Sequence, residues 1–322
     1  MPRALVTGVY GQDGALLVRE LTSAGWDVHG TARRIESGPA ADGVTVHEAD
    51  LTDALGFVEI IDRIEPDLLV NLAGISSVAQ SWQEPELTSE VSGRVVVDLL
   101  EACRRLGGRT GRQVRFVQAS SSEIFGAADV IPQNEETPLA PVSPYGAAKA
   151  SAHLAVQVAR GRGQFASNAI LYNHESPERP LTFVTRKITR GVAEIATGRA
   201  DTITLGNLDA RRDWSWAGDV IRALRAIAIA EQPGDFVVAS GVSHSVRDFV
   251  AAAFAAAGID DWEGRVRQDP DLLRPSDAPE MRGDPSRIAR ELGWHPEVSF
   301  DEMVARMVQN DIRELNAAGD SL

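Results

Sequence analysis

The apolar run at residues 3–8 (RALVTG) empties into Gly8-Val9-Tyr10-Gly11-Gln12-Asp13-Gly14, and a helical pattern follows over 12–24. Glycines in G-x-x-G-x-x-G spacing, set between a first strand and a first helix, leave little choice of fold. The first permits the turn, the second lets backbone approach a pyrophosphate, and the third lets helix and sheet pack closely. Strands predicted at 27–32, 44–47, 67–72, 114–119 and 166–171 continue the rhythm, separated by helices that include 84–106 and 144–160. Beyond Asn173 helices near 183–197, 217–230, 245–256 and 300–315 alternate with short strands near 202–205 and 235–239.

This alternation predicts an α/β protein with a Rossmann-type doubly wound parallel sheet and a smaller mixed α/β C-terminal domain. The expected division is a dinucleotide-binding domain at 1–171, which part of 206–240 can rejoin, and a substrate domain at 172–322. A net charge of −14 without a basic stripe argues against nucleic acid or an anionic membrane as partner. No apolar run approaches the ~20 residues of a membrane span. Met1-Pro2-Arg3 leads straight into a strand with no signal-peptide pattern, so a cytoplasmic protein is expected. The single cysteine, Cys103, lies beside the apolar stripe Leu87, Val91, Val95, Leu99, Ala102, Leu106 and reads as core. Six histidines show no metal-ligand spacing, and no metal is expected.

NAD-specific folds usually close the second strand with Asp or Glu on the ribose hydroxyls. Here the strand ends Thr31-Ala32-Arg33-Arg34. Two guanidiniums suit the 2′-phosphate of NADP in charge and in fork geometry. Asp50-Leu51 are expected near the adenine, Leu72 and Ala73 near the nicotinamide ribose, and Ser76 among the cofactor-binding residues.

The chain writes almost every cation as Arg: of its 32 basic residues only Lys149 and Lys187 are lysines. One of these, with one of only three tyrosines, makes Tyr145-Gly146-Ala147-Ala148-Lys149. Chance would produce about 0.02 such i, i+4 pairs in a chain of this length. On a helix the spacing sets phenol and ammonium on one face, about 5–6 Å apart at Cβ. The ammonium and an oxidised nicotinamide both favour phenolate, making Tyr145 a plausible base for a sugar hydroxyl. The fifth strand ends in Gln118-Ala119-Ser120-Ser121-Ser122-Glu123. That end offers hydroxyls and, in Glu123, a carboxyl able to remove one proton and deliver another to a departing hydroxyl.

The glycine turn with Y-x-x-x-K resembles the extended short-chain dehydrogenase/reductase superfamily. Q-A-S-S-S-E-I-F-G at 118–126, S-P-Y-G-A-A-K at 143–149, N-H-E-S-P-E-R at 173–179, T-F-V-T-R-K-I-T-R at 182–190 and G-N-L-D-A-R-R-D-W at 206–214 resemble the GDP-mannose 4,6-dehydratases. So do S-G-V-S-H-S-V-R at 240–247, R-P-S-D at 274–277 and L-G-W-H-P at 292–296, so that the likeness spans essentially the whole chain. It implies conversion of GDP-mannose to GDP-4-keto-6-deoxymannose and water by an internal redox cycle on NADP. Ser121, Glu123, Tyr145 and Lys149 would form the catalytic group. His174 and Arg179 would hold NADP alongside Gly8, Gly11, Gln12, Asp13, Gly14, Tyr145 and Lys149. Asn173, Val184, Lys187, Arg212 and Arg274 would line the GDP-sugar site, Asp277 would meet the ribose, and the assembly would be a homodimer or homotetramer. Ser121 stands where the family usually has Thr, and Ile75 where it usually has Gln. A related nucleotide sugar, and an epimerase or keto-sugar reductase on the same scaffold, are the alternative readings.

Overall fold

The computed structural model describes residues 1–35, 43–272, 278 and 280–319. The first part of the chain runs β1 (Arg3–Thr7), α1 (Gln12–Ser23), β2 (Asp27–Ala32), β3 (Thr45–Glu48), α2 (Ala54–Ile64) and β4 (Leu68–Asn71). It continues through α3 (Val78–Gln83), α4 (Pro85–Ser89), α5 (Val95–Thr110), β5 (Arg115–Ser121), α6 (Pro144–Gly161) and β6 (Ala166–Leu171). The second part holds β7 (Asn173–Glu175), α7 (Val184–Ala196), β8 (Ile203–Leu205), β9 (Arg211–Trp216), α8 (Ala217–Ile229) and β10 (Asp235–Val238). It ends with β11 (Ser243–Ser245), α9 (Val246–Ala256), β12 (Val266–Gln268), β13 (Glu280–Met281), α10 (Ser286–Leu292) and α11 (Phe300–Gly319).

Seven parallel strands form the main sheet in the order β10-β6-β5-β4-β1-β2-β3. The order reverses between β1 and β4, and ligands of such sheets bind outside the carboxyl ends of the strands there. Its central strands carry apolar runs, Ala4-Leu5-Val6 and Leu68-Leu69-Val70 among them, because helices cover both faces. On one face Leu17, Leu21, Val220, Leu224 and Ile227 pack against Ala4, Val6 and Val70. On the other Phe57, Ile61, Leu99 and Leu106 pack against Leu5, Leu69 and Phe116. The strand from the 206–240 stretch, β10, is the edge partner of β6, and α8 contributes to the first of these cores. A smaller unit builds its own core from Ile188, Val192, Trp214, Phe249, Val250, Val304 and Met307, around β9 with β7, β11 and β13.

The helix expected at 84–106 is not continuous: α4 passes through a π-helical turn at Glu90–Arg94 before α5 begins. Here the Ser92 hydroxyl accepts from Ile75 N at 3.0 Å, and Gly93 lies so close to α6 that an added Cβ would stand 3.2 Å from the Ala148 carbonyl. Packing against two neighbours thus overrides the regular period, and Leu87, which the stripe assigned to the core, is left exposed. Cys103 is buried in the apolar core, where burial pushes its thiol up to about 12. No described helix is long and apolar enough to cross a membrane. Among the described residues no group of three His, Cys, Asp or Glu side chains is arranged to hold a metal.

Candidate active site

The glycine turn does more than reverse the chain. Gly8 has φ +74°, and a Cβ there would come 3.1 Å from Ala73 Cα. At Gly14 a Cβ would overlap the Gly8 carbonyl at 2.2 Å, so the third glycine is what lets α1 close on the turn. Gly11 is exposed, and α1 starts there without a side-chain cap. An open helix N-terminus beside bare glycine backbone fits a dinucleotide pyrophosphate.

Two residues of the turn are committed to the protein itself. The Gln12 amide donates to the His174 carbonyl at 3.2 Å, and Ser176 Oγ donates to Gln12 Oε1 at 2.9 Å. Asp13 faces His174, with Nε2 2.9 Å from both carboxylate oxygens, while Nδ1 lies 2.7 Å from the Tyr172 carbonyl. A carbonyl and a carboxylate only accept, so both ring nitrogens donate and His174 is an imidazolium. Burial opposes each charge, but mutual attraction and hydrogen bonding win, raising His174 and holding Asp13 down to about 2. Both ring nitrogens of His174 are therefore taken by the protein. Because the folded value of His174 is raised, its contribution is full below the ordinary 6.5 and is lost as pH rises through the raised value. A His174→Gln variant should lose about 3 kcal/mol at pH ~6, with the gap to wild type narrowing toward pH ~9. Urea unfolding across that range checks this, and a gap that widens with pH would contradict the imidazolium.

Arg33 and Arg34 are exposed at the end of β2. Arg33 and Asp50 line one hollow of about 650 Å³ with His47 and Asp53. Asp50 is tied to Thr52, accepting from its N at 2.9 Å and Oγ1 at 2.8 Å, and Leu51 is buried. Leu72 N and Ala73 N each donate to Thr7 Oγ1 at 3.0 Å.

The main cleft encloses about 850 Å³ at the carboxyl ends of β4, β5 and β6. Ser121, Glu123, Tyr145 and Lys149 all line it, together with Leu72, Ser76, His174 and Arg179. Ser143 caps α6 by accepting from Gly146 N at 3.0 Å, and Pro144 occupies the first turn, so Tyr145 emerges where the helix begins. Gly146 carries a signal that motif reading missed: a Cβ there would lie 2.6 Å from the Glu123 carbonyl. The glycine lets the helix bearing Tyr145 press against the strand end bearing Glu123. Lys149 Nζ donates to the Ala119 carbonyl at 2.9 Å and sits 5.8 Å from the Tyr145 ring centroid. Burial lowers Lys149 to about 8, opposed by Asp13. Burial likewise pushes Tyr145 up to about 12; Ser121 and Arg179 pull it down, Glu123 and Asp13 push it further up. The expected drift toward phenolate thus loses to desolvation in the protein alone.

Across the cleft stand Asn173, Val184, Lys187 and Arg212. Lys187 is exposed, whereas Arg212 is buried and donates to the carbonyls of Arg211 at 2.7 Å and Ala278 at 2.9 Å. Next to it Asp213, fully buried, accepts from Ser240 N, Ser240 Oγ, Gly241 N and Gly283 N at 2.6–3.3 Å and so pins this wall. Burial still pushes Asp213 up to about 6. Arg179 stacks on Phe183, 3.7 Å from its centroid, and lies 3.4 Å from Glu175. Arg274 and Asp277 lie outside the described residues.

The profile of the GDP-mannose 4,6 dehydratase family matches residues 5–307. The chain belongs to this family. It is 39% identical to the GDP-mannose 4,6-dehydratase of Vibrio cholerae, over 97% of this chain and 94% of that one. With GDP-mannose 4,6 dehydratase 2 of Arabidopsis thaliana it shares 41% identity over 96% of this chain and 86% of the relative. Among solved structures, the UDP-glucose 4-epimerase of Thermus thermophilus in complex with NAD superposes with a TM-score of 0.83 at 26% identity, covering 97% of this chain and 99% of that one.

Proposed function

We propose that this member of the GDP-mannose 4,6-dehydratase family converts GDP-mannose to GDP-4-keto-6-deoxymannose and water. The observation that carries the reading is a single cleft lined by a phenol, an ammonium, a hydroxyl and a carboxylate, Tyr145, Lys149, Ser121 and Glu123. A bound nicotinamide dinucleotide would supply, when oxidised, the hydride acceptor for C4 and the positive charge that a buried phenol needs to ionise, and, once reduced, the hydride donor for C6. Arg33 and Arg34, exposed directly after β2, favour NADP over the NAD found in the Thermus epimerase.

Tyr145 accepts the C4 hydroxyl proton while Ser121 holds that oxygen. The resulting ketone acidifies C5–H. Glu123 removes the C5 proton and hands it to the C6 hydroxyl, which leaves as water. A solvent-derived proton returns to C5. An epimerase has no use for this carboxyl, which is why Glu123 separates the readings. Lys187 and Arg212, facing the sugar end, have the charge to neutralise a diphosphate. Assembly as a homodimer or homotetramer completes the proposal: the adjoining helices α5 and α6 leave Val97, Leu154 and Val158 about half exposed, apolar positions that association would cover.

Incubation of the purified protein with GDP-mannose, UDP-glucose and dTDP-glucose in heavy water, without added cofactor, tests this. The expected result is a 4-keto-6-deoxy product from GDP-mannose alone, with deuterium at C5. A product epimerised at C4, or turnover that demands added NADPH, would overturn it.

A further inference from the structure

Three buried polar residues stand abreast in the centre of the main sheet. Thr7 on β1 is in register with Asn71 on β4, and Asn71 with Gln118 on β5. Registered residues of parallel strands share a face. All three are essentially inaccessible, at 0%, 1% and 1% exposure, although the residue before each is a buried apolar one, Val6, Val70 and Val117.

Their hydrogen bonds have only one consistent direction. Thr7 Oγ1 already accepts from Leu72 N and Ala73 N, so its proton goes to Asn71 Oδ1 at 2.7 Å. That orients the Asn71 amide, whose nitrogen donates to Gln118 Oε1 at 2.8 Å. Gln118 in turn must present its nitrogen to the Ala119 carbonyl, 2.9 Å away. The same carbonyl is the one that receives Lys149 Nζ, also at 2.9 Å. A directed chain therefore runs from the backbone at Leu72-Ala73 to the Ala119 carbonyl, where it meets the ammonium of Lys149 donating from the other side.

Stability alone gives no reason for such a chain. Removing every partner of a buried hydrogen-bonded set in favour of apolar groups of equal shape is often neutral or better. What the chain supplies is a carbonyl held between two donors, one of them Lys149. We infer that Gln118 is a positioning residue for the proposed reaction, fixing the Ala119 carbonyl and through it the Lys149 ammonium beneath the Tyr145 phenol. The inference rests on the reading of Tyr145 and Lys149 as the reacting pair. The charged groups bearing on that pair are Asp13, which acts on both, and Glu123 and Arg179, which act on Tyr145.

The test compares two substitutions of one residue. Gln118→Met keeps the length but cannot donate; kcat should fall roughly tenfold, with KM held within about twofold. Gln118→Glu separates positioning from mere packing. While its carboxyl is protonated it donates to the Ala119 carbonyl as the amide does, so kcat at the acidic end of the profile should approach wild type. As pH rises and the carboxyl ionises, two acceptors face each other and kcat should drop toward the Gln118→Met value. Thermal unfolding of both variants reports the fold separately. If both unfold early yet show the wild-type shape of kcat against pH, or if Gln118→Met turns over at the wild-type rate, the positioning role is wrong. Tyr145→Phe and Lys149→Met serve as controls on the underlying reading: if either turns over normally, that reading fails, whatever Gln118 does.

Discussion

Replacing Glu123 by Gln should cut dehydration of GDP-mannose by roughly 10²–10⁴-fold while leaving KM within a few-fold. The amide keeps the size of the carboxyl and one acceptor, but it neither takes the C5 proton nor returns it to the C6 oxygen. Glu123 sits on a short helical turn directly after β5, its backbone N donating to Ser121 Oγ at 3.3 Å and its carbonyl pressed against Gly146. These contacts belong to the backbone and persist in the variant, and circular dichroism reports its fold separately. Deuterium uptake at C5 from heavy water should disappear together with product. Dehydration at near the wild-type rate would remove the assignment, and with it the feature that separates this reading from an epimerase.

The second large effect concerns stability. Arg186, within the F-V-T-R-K stretch on α7, pairs through Nη1 with both carboxylate oxygens of Asp311 on α11, and both side chains are buried. The same guanidinium donates from Nε to the Arg179 carbonyl at 3.2 Å and from Nη1 to Thr189 Oγ1 at 3.3 Å. Asp311→Ala would strand a buried cation, which costs about 3–5 kcal/mol and should lower the melting temperature by roughly 10 °C. The double variant Arg186→Met/Asp311→Leu should recover much of that loss, since a well-packed apolar pair often replaces a buried ion pair without penalty. Calorimetry on the three proteins decides the matter; a single variant as stable as wild type would show that the pair contributes nothing. Because Arg186 also holds the Arg179 carbonyl, the same loss should loosen one wall of the cleft.

Much of the site was legible because its signals are local. The i, i+4 spacing of Tyr145 and Lys149 follows from helix geometry, and Ser143-Pro144 announces where that helix starts. Glu123 could be singled out because β5 has to end there. What the sequence did not show is where some of these side chains spend their hydrogen bonds. The Gln12 amide donates to the His174 carbonyl and accepts from Ser176, and His174 faces Asp13 and the Tyr172 carbonyl. Of these partners Ser176 and Asp13 lie 164 and 161 positions away, and such pairs leave no mark in spacing. The chain Thr7-Asn71-Gln118 was equally silent, since register between strands is a property of the sheet, and Gly146 looked like an ordinary filler between Tyr145 and Lys149.

By itself the sequence determined the alternating architecture, the glycine turn and the residue types that carry acid–base chemistry, because periodicity and turn stereochemistry act over a few residues at a time. Only the tertiary structure decided which of those residues share a cleft, which spend their hydrogen bonds on each other, and how burial sets their ionisation. Desolvation and strand register depend on what lies across space, and a neighbour across space is not a neighbour in the chain.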